Sequence, residues 1–308
     1  MILCCGESLI DMIPEQTVKD KNGFVPYPGG AIFNTAIGIG RLKCRVGLMS
    51  GISTDIFGQQ LMAELSESNV DTSNAILSDR PTTLAFVQLT DGQASYLFYD
   101  ENSAGRMIAV EDMPHRLDDV TAFLFGGISL HCEPGAETYV QFAETRANGS
   151  VVMVDPNIRP SFVSNEPLFR DHMERMLRLA DIVKVSNEDL NWFFPGSENV
   201  ETKIAKLRKL GPAIVILTSG SSGVKAWKPE EDPIFVDSLK VDVVDTVGAG
   251  DSFNAGFLTS LSKAGLLNKP TIRLILESDI VAALNFGVRT AAKTVGRAGA
   301  NPPWRDEL

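Results

Sequence analysis

The chain has 308 residues and a formal net charge of −11, with 44% hydrophobic and 22% charged residues. That balance suits a folded globular protein and excludes a disordered or fibrous one. The acidity argues against a nucleic-acid or acidic-membrane partner, because such surfaces need clustered Lys and Arg.

Short apolar runs at 2–5, 46–50, 122–125, 151–155, 182–185 and 214–218 read as core strands. The longer amphipathic stretches 31–42, 56–66, 136–148, 168–179 and 200–210 read as helices between them. This alternation predicts βαβ units around a mostly parallel sheet. The first run is too short, and lacks the basic start, for a signal peptide. No apolar stretch approaches a membrane span. The cysteines Cys4, Cys5, Cys44 and Cys132 have no C-x-x-C spacing, so reduced thiols in a cytoplasmic protein are expected.

Asp11 lies between apolar neighbours just after the first strand, where a buried charge needs partners. The segments 12–27 and 83–105 break the helical rhythm. The second alternates around Asp91-Gly92, a hairpin signal. Together they predict a small antiparallel β lid on a single unit spanning 1–308.

Pro28-Gly29-Gly30-Ala31 is a tight turn before a helix, and Asn34 falls one turn into that helix. An amide side chain both donates to and accepts from hydroxyls. Asp55 reads as a helix cap. Asp155-Pro156-Asn157-Ile158-Arg159 closes a core strand, placing Arg159 where open α/β sheets hold ligands.

Asn187 and Glu188 follow the strand 182–185, and the turn from Thr218 through Gly220 to Gly223 follows the strand 214–218. The segment 239–244 reads as a further strand and 249–264 as a helix. Between them runs Asp245-Thr246-Val247-Gly248-Ala249-Gly250-Asp251. Small residues at a helix start let the backbone approach a ligand, and free N–H groups with the helix dipole favour an anion there. A transferring phosphoryl group is such an anion.

No G-x-x-x-x-G-K-[ST] motif occurs, which disfavours a P-loop enzyme. Gly38-Ile39-Gly40 opens a G-x-G-x-x-G match that fails at Lys43 and falls late in a helix. His115, His131 and His172 lack zinc spacing.

The Asp245 to Asp251 segment resembles the C-terminal signature of the ribokinase-like (PfkB) carbohydrate kinases. Pro28-Gly29-Gly30-Ala31 with Asn34 looks like the family's sugar-binding signature, and intermediate motifs recur in the family's order along nearly the whole chain. The resemblance implies a three-layer α/β/α sandwich with a small β lid. It also implies an ATP-dependent kinase in which Asp251 is the general base and Gly248, Ala249 and Gly250 form the anion hole.

By the same resemblance Asp11, Gly29, Gly30, Asn34, Phe98 and Arg159 would hold the sugar. Asn187, Thr218, Gly220, Gly223 and Asn285 would lie on the ATP side, with Asn285 in the helix 279–293 near the adenine. Glu188 would bind Mg2+ through water, and Asp245 with the carbonyl of Val247 would hold a monovalent cation such as K+. A homodimer through the lid is a family-level expectation.

The run Tyr96 to Gly105 looks most like the bacterial fructokinase branch. Many relatives carry Arg after the Tyr in this stretch, which in ketodeoxygluconate kinases helps to hold the acid. Asp100 stands there instead, and a carboxylate facing the pocket would favour a neutral hexose, fructose phosphorylated at C6. Ribose, a nucleoside or ketodeoxygluconate stay open as substrates, since Phe98 and Tyr99 could stack on a flat base. A non-catalytic sugar sensor is the alternative of a different class.

Overall fold

The computed structural model describes residues 1–90, 93–115, 117–229 and 231–308, so the expected Asp91-Gly92 turn lies outside the described residues. The strands in chain order are β1 (Ile2–Cys5), β2 (Leu9–Gln16), β3 (Asn22–Gly29), β4 (Val46–Met49), β5 (Gly51–Ser53), β6 (Ile76–Ser78) and β7 (Leu84–Thr90). They continue with β8 (Gln93–Tyr99), β9 (Ala122–Gly126), β10 (Val151–Asp155), β11 (Ile182–Ser186), β12 (Ile214–Thr218), β13 (Val224–Trp227) and β14 (Ile234–Val236). The helices are α1 (Ala31–Arg41), α2 (Ile56–Glu67), α3 (Gly135–Arg146), α4 (Glu166–Leu179), α5 (Asn187–Phe193), α6 (Val200–Arg208), α7 (Ala249–Lys263), α8 (Lys269–Arg273) and α9 (Glu277–Val295).

The large sheet has the order β14-β13-β12-β11-β10-β9-β1-β4. Its pairings run parallel from β12 to β4, and only β13 and β14 turn antiparallel. The period-2 alternation of each strand divides the core into two layers. In β1, Ile2 and Cys4 pack with α1, α2, α7 and α9, whereas Leu3 and Cys5 pack with α3, α4 and α6. Ile214 and Ile216 of β12 join the first layer, Val215 and Leu217 the second. Helices therefore cover both faces, as a buried parallel sheet requires.

β3-β2-β7-β8 form the separate small sheet. It differs from the expected antiparallel lid in its bounds and in one pairing. Its first strand starts at Leu9 instead of 12, and 100–105 forms turns after β8 ends at Tyr99. Pairing is antiparallel within β2·β3 and β7·β8, but β2 and β7 run parallel because the chain enters both from the same end.

The expected strand 239–244 does not form. Val243 and Val244 are 62% and 63% exposed, with no strand beside them, and β14 before them closes the sheet edge. An apolar run without a ladder partner gains nothing from extension into a strand. Among the described residues no helix is long and apolar enough to cross a membrane.

Candidate functional site

Parallel strands end together, so the carboxyl ends of β1, β10 and β11 open on one edge, where α/β sheets place ligands. There a cavity of about 310 Å³ forms between this edge, the lid and the starts of α1 and α7. Both helices begin without a side chain of their own as cap, at Gly30 (φ 107°) and Gly248 (φ 74°). These positive φ values favour glycine. At α1 the missing cap comes from far away, since Glu7 Oε1 accepts from Ala31 N–H at 2.9 Å and the other oxygen accepts from Ser129 N–H at 3.3 Å. At α7 the helix start itself, Gly248, Ala249 and Gly250, lines the cavity, with Ala249 N–H reaching Thr246 O at 3.3 Å and the other first-turn amides without a helical acceptor. That is the donor arrangement that stabilises an anion.

Asp251 projects from the first turn of α7 and is 8% exposed. Its Oδ2 accepts from Asn34 Nδ2 at 2.9 Å, which joins the two helix starts. Burial and then the charge of Asp155 raise its pKa to about 6, opposed by the Asn34 bond and by Lys184 and Arg159. A buried carboxylate that titrates just below neutrality, with one oxygen held, suits a general base. Across the cavity, burial and the charge of Asp251 push Asp11 to about 7 against the pull of Arg159. Glu7 also rises to about 7, mainly by burial, despite its backbone bonds. Arg159 Nη1 is held by Asn157 Oδ1 at 2.7 Å.

The structure brings Asp11, Gly30, Asn34, Phe98, Arg159, Val247 and the Gly248 to Asp251 turn to this one cavity. Gly29 stands behind it, where a Cβ would collide with the Asp11 carboxylate. Asp245 lies outside the lining and braces the turn, with Oδ1 accepting from Val247 N–H at 3.0 Å and Oδ2 from Gly299 N–H at 2.9 Å.

The remaining positions are also outside this cavity. Thr218 ends β12 beside the end of β11, followed by Gly220 and Gly223, both at positive φ. Asn187 and the exposed Glu188 open α5, where Ser186 and the buried Asp189 make a capping box. Asn285 is exposed on α9, its amide bonded to Val281 O at 2.8 Å.

Two expectations for the lid change. Asp100 does not face the cavity. Its carboxylate accepts from Thr83 and Ser103 hydroxyls at 3.0 and 2.9 Å, with Arg106 at 3.7 Å. Tyr99 points outward, 54% exposed, while Tyr96 and Phe98 face in and stack at 6.0 Å. The two-residue alternation of a strand makes Phe98 and Tyr99 opposite-facing neighbours.

Sequence reasoning missed Glu7 and Lys184, both lining the cavity. Each had a visible signal, an acid at the end of β1 and a Lys inside the apolar run Ile182-Val183-Lys184-Val185.

Residues 1–307 match the family model described as pfkB family carbohydrate kinase. The chain is 46% identical over 269 residues to a fructokinase of Rhizobium leguminosarum bv. trifolii, covering 87% of this chain and 82% of that one. A crystal structure of fructokinase with bound ATP from Xylella fastidiosa is similar with a TM-score of 0.86 at 28% identity, covering 97% and 93% of the two chains. An aminoimidazole riboside kinase from Salmonella enterica, complexed with aminoimidazole riboside and an ATP analogue, has a TM-score of 0.84 at 26% identity. That likeness covers 99% of this chain and 97% of the other.

Proposed function

The chain belongs to the pfkB family of carbohydrate kinases, and from that premise we propose that it is an ATP-dependent sugar kinase, working as a single unit, that phosphorylates D-fructose at its C6 hydroxyl. The observation that carries the reading is Asp251, a buried carboxylate anchored by Asn34 and set one residue after an amide turn open to the cavity. The sugar hydroxyl would lose its proton to Asp251 as its oxygen attacks phosphorus, while the Gly248, Ala249 and Gly250 amides receive the charge on the phosphoryl oxygens. Tyr96 and Phe98 of the lid would cover the sugar and exclude water.

A neutral sugar is supported by electrostatics within the cavity. Glu7, Asp11 and Asp251 all face it, and the Asp251 charge already raises the other two. An acidic substrate would add a further anion to these three. Similarity to fructokinases supports fructose over ribose. The stacked Tyr96 and Phe98 keep a nucleoside as the second reading.

ATP would extend from the turn toward Thr218, Gly220, Gly223 and Asn187. Its adenine would lie near Asn285 on α9, one turn before the stretch of that helix, Arg289 to Lys293, that lines a groove with the exposed Leu239 and Val241. Mg2+ keeps most of its waters and binds through few carboxylates plus substrate phosphates. Glu188, exposed in the first turn of α5, would meet that demand through water, and the ion would neutralise phosphate charge. Asp245 and the Val247 carbonyl would hold K+. Phe24, Leu97 and Tyr99 are exposed apolar residues on the lid face turned away from the cavity, which supports a homodimer. The four free cysteines suit a reducing cytoplasm.

ADP release measured with fructose, ribose, adenosine and ketodeoxygluconate tests the reading. Fructose should give the highest kcat/KM, and a preference for adenosine would instead support the nucleoside reading.

A further inference from the structure

Lys184 is 5% exposed on β11, yet it lines the cavity together with Asp251 and the Gly248 to Gly250 turn. Its ammonium lies against that turn, since a Cβ on Gly250 would stand 3.2 Å from Nζ. The protein supplies it with one acceptor, Asp155 Oδ2 at 3.0 Å, which also accepts from Asn254 Nδ2 at 2.7 Å. An ammonium carries three donors, so two N–H bonds remain for whatever occupies the cavity. Asp155 Oδ1 and Asn254 Oδ1 are buried without a partner as well. A cluster serving only to hold the fold would be expected to close on itself, because an unpaired buried polar group is costly. This one does not, and its Lys184 lines the cavity.

Building on the kinase reading, we propose that Lys184 is a catalytic residue whose ammonium donates to the non-bridging oxygens of the phosphoryl group in transit. It completes from the β11 side the cradle that the α7 amides begin. In the transfer, the sugar oxygen forms a bond to the γ-phosphorus and the bond from that phosphorus to the β,γ-bridging oxygen breaks. The hydroxyl proton passes to Asp251, ADP leaves with the bridging electron pair, and Lys184 keeps its proton throughout. Burial alone would lower the Lys184 pKa, but Asp155 and Asp189 outweigh it and hold the value above that of an ordinary lysine. The group is therefore a fixed cation at neutral pH, with Asp155 as its one hydrogen-bonded carboxylate.

The test uses Lys184→Met together with the double variant Lys184→Met/Asp155→Asn, which removes both charges and so avoids leaving a buried carboxylate alone. Both should lower kcat by about 10² to 10³, the scale seen when one donor to a developing oxyanion is lost. The sugar KM should stay within about threefold. Calorimetry should show weaker binding of the β,γ-imido ATP analogue with ADP binding unchanged, because only the former carries a γ-phosphoryl group. Recovery of kcat by the double variant to within about tenfold of the parent would overturn the proposal, as would equal weakening of both nucleotides. If the parent chain itself released no ADP with any sugar, the kinase reading would fall first, and that result is distinct from a fully active Lys184→Met.

Discussion

Replacing Asp251 by Asn removes the proposed base with almost no change of shape. In the native site Oδ2 accepts from Asn34 Nδ2 at 2.9 Å, and an Asn at 251 can keep that bond by presenting its amide oxygen. The charge is lost while the anchoring survives. A positioned general base contributes roughly 10² to 10⁴ in rate, equal to about 3–5 kcal/mol of barrier at about 1.4 kcal/mol per tenfold. Coupled detection of ADP at saturating fructose and ATP should show that loss in kcat, with the ATP affinity kept. The neighbours should respond too, because the Asp251 charge is one cause of the raised pKa values of Glu7 and Asp11. Both should titrate at lower pH in the variant, measurable by carboxyl NMR. Turnover within about threefold of the parent would refute the assignment of the base.

The pH profile follows from the same group. Asp251 must be ionised to accept a proton and its pKa lies at about 6, so kcat/KM should fall as pH drops through that value. Asn34→Ala deletes the bond that favours the carboxylate, so the acid limb should move to higher pH; an unmoved or lower limb would contradict the coupling. Asp11 has a folded pKa of about 7 against 3.8 for the free group. Its contribution is therefore full at low pH and is lost as pH rises from about 4 to 7. Asp11→Asn should raise the melting temperature at pH 8, by at most about 4 kcal/mol of stability, and have no effect at pH 4, while the fructose KM rises. Glu7→Ala strips two half-buried amides of their acceptor and should cost about 1–3 kcal/mol in denaturant unfolding.

The six parallel strands of the large sheet were legible because each is a short apolar run between helical periods, whereas the antiparallel edge strands β13 and β14 were not read. The turn that opens α7 was legible because glycines and an acid at a helix start act locally. What stayed hidden is tertiary. Glu7 caps a helix 24 residues away in sequence, and nothing in its neighbourhood announces that partner. Lys184 and Asp155 are paired across two strands, 29 positions apart. Asp100 misled because a charge at the end of a lid strand can turn either way, and the Thr83 and Ser103 hydroxyls hold it away from the cavity. The run 239–244 misled because apolar residues facing solvent look like a strand when no partner is visible.

The central claim is phosphoryl transfer at the turn that ends in Asp251. It is tested most directly by supplying ATP labelled at the γ-phosphorus with fructose and following the label by 31P NMR. The account predicts label on the C6 oxygen of fructose in step with ADP. ADP formed without labelled sugar, or no transfer to any acceptor, would contradict it.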